Sequence, residues 1–298
     1  MTRSPELTLN GGVRMPQIGL GVYLSPPEET GAAVRKAIGT GYRLIDTAAA
    51  YGNEQQVGEG IAQSGIARDE LFVTTKLWIS DYGYDPALRA FDVSMGKLGL
   101  ETLDLYLLHW PTPSNFDATV AAYKAAERLL ADGRVRAIGV CNFNPDHLDM
   151  LAERTEVVPA VNQVELHPLF RQSEVREANA RRGIVTQAWS PIGGVYTNHP
   201  SDPEAVTRLL EHPVIVGIGE VHGRKPAQVV LRWHLQHGHS AIPKSVHAAR
   251  IAENFDVFGF ELSEADMAAI DGLGDGARGG PDPDAFDLDF LKRRAERA

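Results

Sequence analysis

Short apolar runs alternate with amphipathic stretches along almost the whole chain. The runs predict strands at Ile18–Tyr23, Leu44–Asp46, Phe72–Lys76, Leu103–His109, Val135–Val140, Ala160–Glu165, Val185–Ala188 and Ser240–Pro243. Between them, helical spacing predicts helices near Glu28–Thr40, Glu54–Ser64, Asp85–Leu98, Asp117–Ala131, Pro145–Glu153, Ser173–Arg181 and Pro226–Gln236. Two carry start signals, with Pro145 at a first helical position and Ser173 ahead of Glu174. Before the first barrel strand, Leu7–Leu9 and Val13–Met15 flank Asn10-Gly11-Gly12, a hairpin signal.

Eight strands in strict alternation with helices predict an α/β fold with its parallel sheet closed as a (β/α)8 TIM barrel, carrying an N-terminal β-hairpin and a C-terminal extension. A doubly wound open sheet is the alternative. No interdomain linker is visible, so residues 1–298 are expected to form one domain. Gly194–Pro203 is the longest irregular stretch and falls in a βα loop. Asp275–Asp284 is a Gly/Pro/Asp-rich tail, and the last ten residues read as a charged helix or a frayed end.

Composition narrows function by exclusion. A net charge of −10 and no Lys/Arg run argue against nucleic acid as a partner. No apolar run approaches about 20 residues, and the N-terminus has no apolar segment of the secretory kind, so no membrane association and a cytoplasmic location are expected. The single cysteine, Cys141, forms neither an internal disulfide nor a Cys-rich metal site. His237-Gly-His239 has metal-ligand types, but it precedes the last strand and so belongs to the face opposite the strand ends; no metal is expected.

The strand ends carry the chemistry. They are Tyr23, Asp46, Lys76, His109, Asn142, Gln163, Trp189 and Lys244, polar or aromatic after apolar interiors. In a parallel barrel all strand C-termini share one face, so these scattered residues converge. Tyr51 follows Asp46 in the next loop, and Trp78 and Trp110 follow the Lys76 and His109 ends, which with Tyr23 gives an aromatic-lined pocket.

Asp, Tyr, Lys and His make one coherent device. A phenol with an ordinary pKa of about 10 is a poor acid at neutral pH unless a cation stabilises its anion. Tyr51 is expected to donate a proton to a carbonyl oxygen, Lys76 to lower its pKa, Asp46 to keep Lys76 charged, and His109 to orient the carbonyl. Reduction also needs a hydride donor, which side chains do not offer.

The other half of the rim suits that donor. Asn142 and Gln163 offer amides, Trp189 a flat ring, and Ser190–Gly194 a backbone able to approach a pyrophosphate. Lys244, Ser245 and Arg250 place two cations and a hydroxyl at a strand-to-helix junction, which suits a phosphate monoester and favours NADPH over NADH. The Gly19-x-Gly21 start of a dinucleotide fingerprint fails at Leu24.

Gly41-Tyr-Arg-Leu-Ile-Asp46-Thr-Ala with Tyr51-Gly-Asn-Glu, Val73-Thr-Thr-Lys76-Leu-Trp, Leu107-Leu-His109-Trp-Pro, Ile138-Gly-Val-Cys-Asn142-Phe, Val161-Asn-Gln163-Val-Glu-Leu-His-Pro and Ile242-Pro-Lys244-Ser together resemble the signatures of the aldo-keto reductases over essentially the whole chain. Ala188-Trp-Ser-Pro and Ile251-Ala-Glu-Asn-Phe-Asp-Val-Phe resemble the bacterial 2,5-diketo-D-gluconate reductase group. The resemblance implies a catalytic tetrad of Asp46, Tyr51, Lys76 and His109, and NADPH held without a Rossmann motif. Implied cofactor contacts are Asn142, Gln163, Trp189, Ser190, Lys244, Ser245, Val246, Arg250, Glu253 and Asn254, joined by Gly21, Val22, Asp46, Cys141, Ile192, Gly194 and Ile242. Tyr23, Trp78, His109 and Trp110 are the expected substrate contacts.

The chain departs from the family pattern at Cys141, where serine is usual and a thiol is a weaker hydrogen-bond donor. The loop after His109-Trp110-Pro111 is short, which implies an open pocket. The expectation is a monomeric NADPH-dependent reductase of small-molecule aldehydes and ketones, keto-sugars among them. The rivals are an NADPH-binding regulatory subunit with little turnover, and a barrel lyase using Lys76 or Lys244 as a Schiff base.

Overall fold

A computed structural model of the protein describes residues 4–194, 209–274 and 278–295. It opens with an antiparallel hairpin of β1 (Glu6–Thr8) and β2 (Arg14–Pro16), in which Leu7 pairs with Met15. Gly12 turns the chain at φ 81°, a conformation natural to glycine. Leu9 and Met15 are buried and pack with Leu44, Phe72 and Leu105. Leu44 and Phe72 begin their strands, so the hairpin plugs the N-terminal end of the barrel.

Eight parallel strands follow: β3 (Gly19–Gly21), β4 (Leu44–Asp46), β5 (Phe72–Leu77), β6 (Leu103–Leu108), β7 (Val135–Cys141), β8 (Val161–Glu165), β9 (Val185–Trp189) and β10 (Ser240–Ala241). Each neighbours the next in chain order. Parallel bridges from Ile18 to Ala241 and from Gly21 to Lys244 join the first strand to the last and close the barrel. At this seam a Cβ on Gly21 would lie 2.7 Å from the Ile242 carbonyl oxygen, so only glycine allows the approach.

Helices Pro27–Thr40, Glu54–Ala62, Tyr84–Leu98, Phe116–Ala131, Pro145–Ala152, Ser173–Arg181 and Pro226–Gln236 lie where periodicity predicts them, with ends shifted by a few residues. Their apolar faces pack onto the outer face of the sheet, as with Phe91, Tyr123 and Val34. Helices Pro213–His222 and Glu264–Asp271 had no sequence prediction. The first has a small-residue, evenly apolar sequence without a clear stripe; the second is short, although Ser263 and Asp266 form a capping box at its start. The chain ends in a helix at Leu288–Ala295. Of the irregular stretch expected at Gly194–Pro203, only Gly194 lies within the described residues. Among those residues, no helix is long and apolar enough to cross a membrane.

Met15→Ala is expected to cost about 2–5 kcal/mol of stability by opening a cavity under the barrel. Urea unfolding measures the loss. Steady-state kinetics should stay near the parent values, because the plug lies at the end away from the strand C-termini.

Candidate active site

The strand C-termini do converge. Asp46 ends β4, Lys76 lies near the end of β5, Gln163 lies in β8 and Trp189 ends β9. His109 and Asn142 directly follow β6 and β7. Tyr51 arrives from the short turn Ala49–Tyr51. A cavity of about 530 Å³ opens here, lined by Asp46, Tyr51, His109, Asn142, Gln163 and Trp189, with Tyr23, Trp78 and Trp110 on one side and Lys244 on the other.

Lys76 lies fully buried beneath the cavity floor. Its ammonium donates to Asp46 Oδ1 at 2.5 Å, to the Thr47 carbonyl at 2.8 Å and to Tyr51 Oη at 3.3 Å. These three acceptors match its three N–H groups. Burial alone would discharge the lysine, but the Asp46 and Tyr51 oxygens overcome it and hold the ammonium above its usual range. Burial likewise raises the Asp46 carboxyl, and Lys76 and Gln163 draw it back. Gln163 Nε2 donates to Asp46 Oδ2 at 2.8 Å, so both carboxylate oxygens are satisfied.

Lys76 acts on the phenol in the expected direction, but burial outweighs it. Burial raises the Tyr51 pKa, and the pull of Lys76 in the other direction does not cancel it. Lys76 is therefore a counterweight rather than the source of an acidic phenol, and Tyr51 rests protonated. His109 is pushed well below its ordinary value by burial and by Lys76, so its ring is neutral. Its Nδ1 is buried with no protein partner among the described residues. The ring meets Tyr51 and Trp78 edge-on, at centroid distances of 5.6 and 5.1 Å.

The predicted cofactor residues divide into three groups. Gly21, Asp46, Asn142, Gln163, Trp189, Ser190, Ile192, Gly194, Ile242 and Lys244 line the cavity. Asn142 and Ser190 hold φ values of 63° and 47°, rare for side-chain-bearing residues. The amides are more committed than the sequence suggests. Gln163 Nε2 also donates to Gln187 Oε1, while Asn142 donates to the His109 carbonyl and accepts from Trp189 Nε1 at 2.8 Å. Asn142 thus fixes the plane of the Trp189 ring.

The second group stands at the junction after β10. Lys244 and Arg250 are exposed and make no ion pair among the described residues, and Ser245 lies between them in sequence. Helix Ala248–Phe255 begins here with no side-chain cap, leaving its first N–H groups free. Two unspent cations beside open helix amides fit a phosphate monoester. Val246 packs on the core nearby, and Asn254 is buried on the same helix.

The third group lies off the cavity. Val22 and Cys141 are buried behind its wall, and burial raises the Cys141 thiol, which is therefore protonated. Glu253 pairs with Lys225 and faces a separate outer groove.

The sequence reading missed the C-terminal wall. Gly280, Pro281, Phe286 and Leu291 line the cavity. Phe286 stacks on Trp110 with ring centres 3.9 Å apart and an interplanar angle of 19°. The tail therefore supplies one wall of the cavity, a contribution that the short loop after Pro111 does not make. The alternating apolar residues of Phe286-Asp-Leu-Asp-Phe290-Leu291 were the available signal.

Comparison with known proteins agrees with the barrel fold. The model of the aldo/keto reductase family matches residues 17–275. The chain belongs to that family and is an NADP-dependent oxidoreductase. It is 57% identical to morphine 6-dehydrogenase of Pseudomonas putida over 282 residues, covering 94% of this chain and 95% of the relative. A solved structure of a Gox0644 variant in complex with NADPH is 44% identical with a TM-score of 0.88, covering 96% of this chain and all of that one. The Bombyx mori aldo-keto reductase in complex with NADP is 33% identical with a TM-score of 0.88, covering 98% of each chain.

If the half-buried Tyr51 phenol stays protonated, it contributes no phenolate near pH 10, where a free phenol is half ionised. Near-ultraviolet phenolate absorbance of the protein and of Tyr51→Phe should therefore coincide through that pH.

Proposed function

We propose that this protein reduces aldehydes and ketones to alcohols with NADPH, using Tyr51 as the proton donor. The observation that supports it most is the Lys76 ammonium bonded at once to Asp46 and Tyr51 under an aromatic cavity.

NADPH, when bound, would supply the hydride that reduction of a carbonyl carbon requires. The chain's own residues do the rest. The carbonyl oxygen sits at Tyr51 Oη, beside the neutral His109 ring, which offers it a single N–H. As negative charge develops on that oxygen, the phenol gives up its proton and an alcohol results. The phenolate left behind faces the ammonium 3.3 Å away, so the charge that burial disfavours in the resting site is compensated when it forms. Trp189, held by Asn142, would offer a flat support to the nicotinamide ring, and Lys244 and Arg250 would hold the 2′-phosphate.

Tyr23, Trp78, Trp110 and Phe286 make the substrate side apolar and aromatic. That favours apolar carbonyls, and it gives keto-sugars with many hydroxyls fewer partners. Because one relative is named for morphine, a bulky ring system, ring ketones belong in any substrate panel beside small aldehydes and keto-sugars.

Tyr51→Phe should lower kcat by at least about a hundredfold while NADPH binding, titrated by tryptophan fluorescence, stays near the parent value. Retained turnover would remove Tyr51 from the proton-donor role. The pair Lys244→Ala and Arg250→Ala should weaken NADPH by more than about tenfold and leave NADH nearly unchanged. Equal losses for the two cofactors would show that these cations do not read the 2′-phosphate.

A further inference from the structure

We propose that Glu165 is a positioning residue, a buried latch that holds the C-terminal segment across the rim and so places Phe286 in the substrate pocket. Glu165 ends β8, and its carboxylate is fully buried although the proposed reaction does not use it. Its two oxygens receive consecutive backbone amides: Gly279 N–H donates to Oε1 at 2.9 Å and Gly280 N–H to Oε2 at 2.8 Å. His167 Nε2 lies 3.3 Å from Oε1. A buried carboxylate is costly unless hydrogen-bonded, and here most of its bonds go to one distant piece of chain.

The latch point is tight. A Cβ on Gly280 would lie 2.5 Å from the Trp189 ring and 3.1 Å from Glu165 Oε2. The segment therefore runs against the edge of Trp189 with no slack. Six residues on, Phe286 stacks on Trp110 and meets Trp78 edge-on at 6.0 Å. Other tethers include Asp284 to Asn144 and His147, Asp287 to Ser114, and Arg278 over the Phe170 ring. Asp284 is 65% exposed, and exposed pairs contribute little. Glu165 is the buried anchor, and its bonds set where the segment starts across the rim.

The proposal rests on the reading of this pocket as the carbonyl site. Glu165→Ala should raise KM for a bulky aromatic ketone by about tenfold or more and change KM for a small dialdehyde by less than about twofold. Combined with Phe286→Ala, its effect on the bulky substrate should be strongly non-additive, since both changes act through one wall. Hydrogen exchange at Gly279 and Gly280 should quicken by at least about tenfold, with the barrel strands unchanged. Glu165→Gln keeps the length and one acceptor oxygen, and should move each readout the same way by less.

Equal KM increases for small and bulky substrates, additive effects with Phe286→Ala, or unchanged exchange at the two glycines would overturn the proposal. So would failure of both variants to fold, which would make Glu165 a support of the barrel itself. The exchange measurement does not depend on turnover, so a wrong reading of the carbonyl site and a wrong reading of the latch are told apart.

Discussion

The ammonium of Lys76 sets the terms for everything around it. A charge fully removed from water is tolerated only when each of its donors is met, and removing one partner of such a pair costs about 3–5 kcal/mol. The three acceptors come from Asp46, the Thr47 backbone and Tyr51. They meet Lys76 only because β4 and β5 pair with Asp46 beside Thr74, while β5 and β6 pair with Lys76 beside Leu107. A slip of one residue would turn the lysine to the other face of the sheet. Strand register and active-site geometry are thus the same constraint.

That arrangement explains why the resting site is electrically quiet. The phenol and the imidazole are both neutral, and burial pushes each further from its charged form. Among the described residues, the charges meeting beneath Tyr51 are those of Lys76 and Asp46, and they are paired. Charge created during a reaction at Tyr51 therefore enters a site where its counter-ion is already in place.

Much of this was legible in the chain. Apolar runs ending in Asp46, Lys76, His109, Asn142 and Trp189 gave the barrel and the converging face together, because strand periodicity and parallel topology are local rules. Three things were not legible, and for different reasons. The direction of the Tyr51 shift depends on desolvation, which no spacing encodes. The commitments of Asn142 and Gln163 to protein partners depend on side-chain orientation across β7, β8 and β9. The tail's place in the pocket depends on a contact between Glu165 and Gly280, far apart in sequence, and the alternating apolar residues from Phe286 mark only a segment that packs, not where it packs.

The barrel's seam has a thermodynamic side as well. The first and last strands meet only through the pairings of Ile18 with Ala241 and Gly21 with Lys244, after nearly the whole barrel has intervened. The cavity straddles that joint, with Gly21 on one bank and Ile242 and Lys244 on the other. A ligand spanning the two banks binds the closed barrel and not the opened one, so it acts as a reversible cross-link on a very long loop. Its free concentration then governs how firmly the barrel stays shut, and the protein's resistance to unfolding rises and falls with its supply.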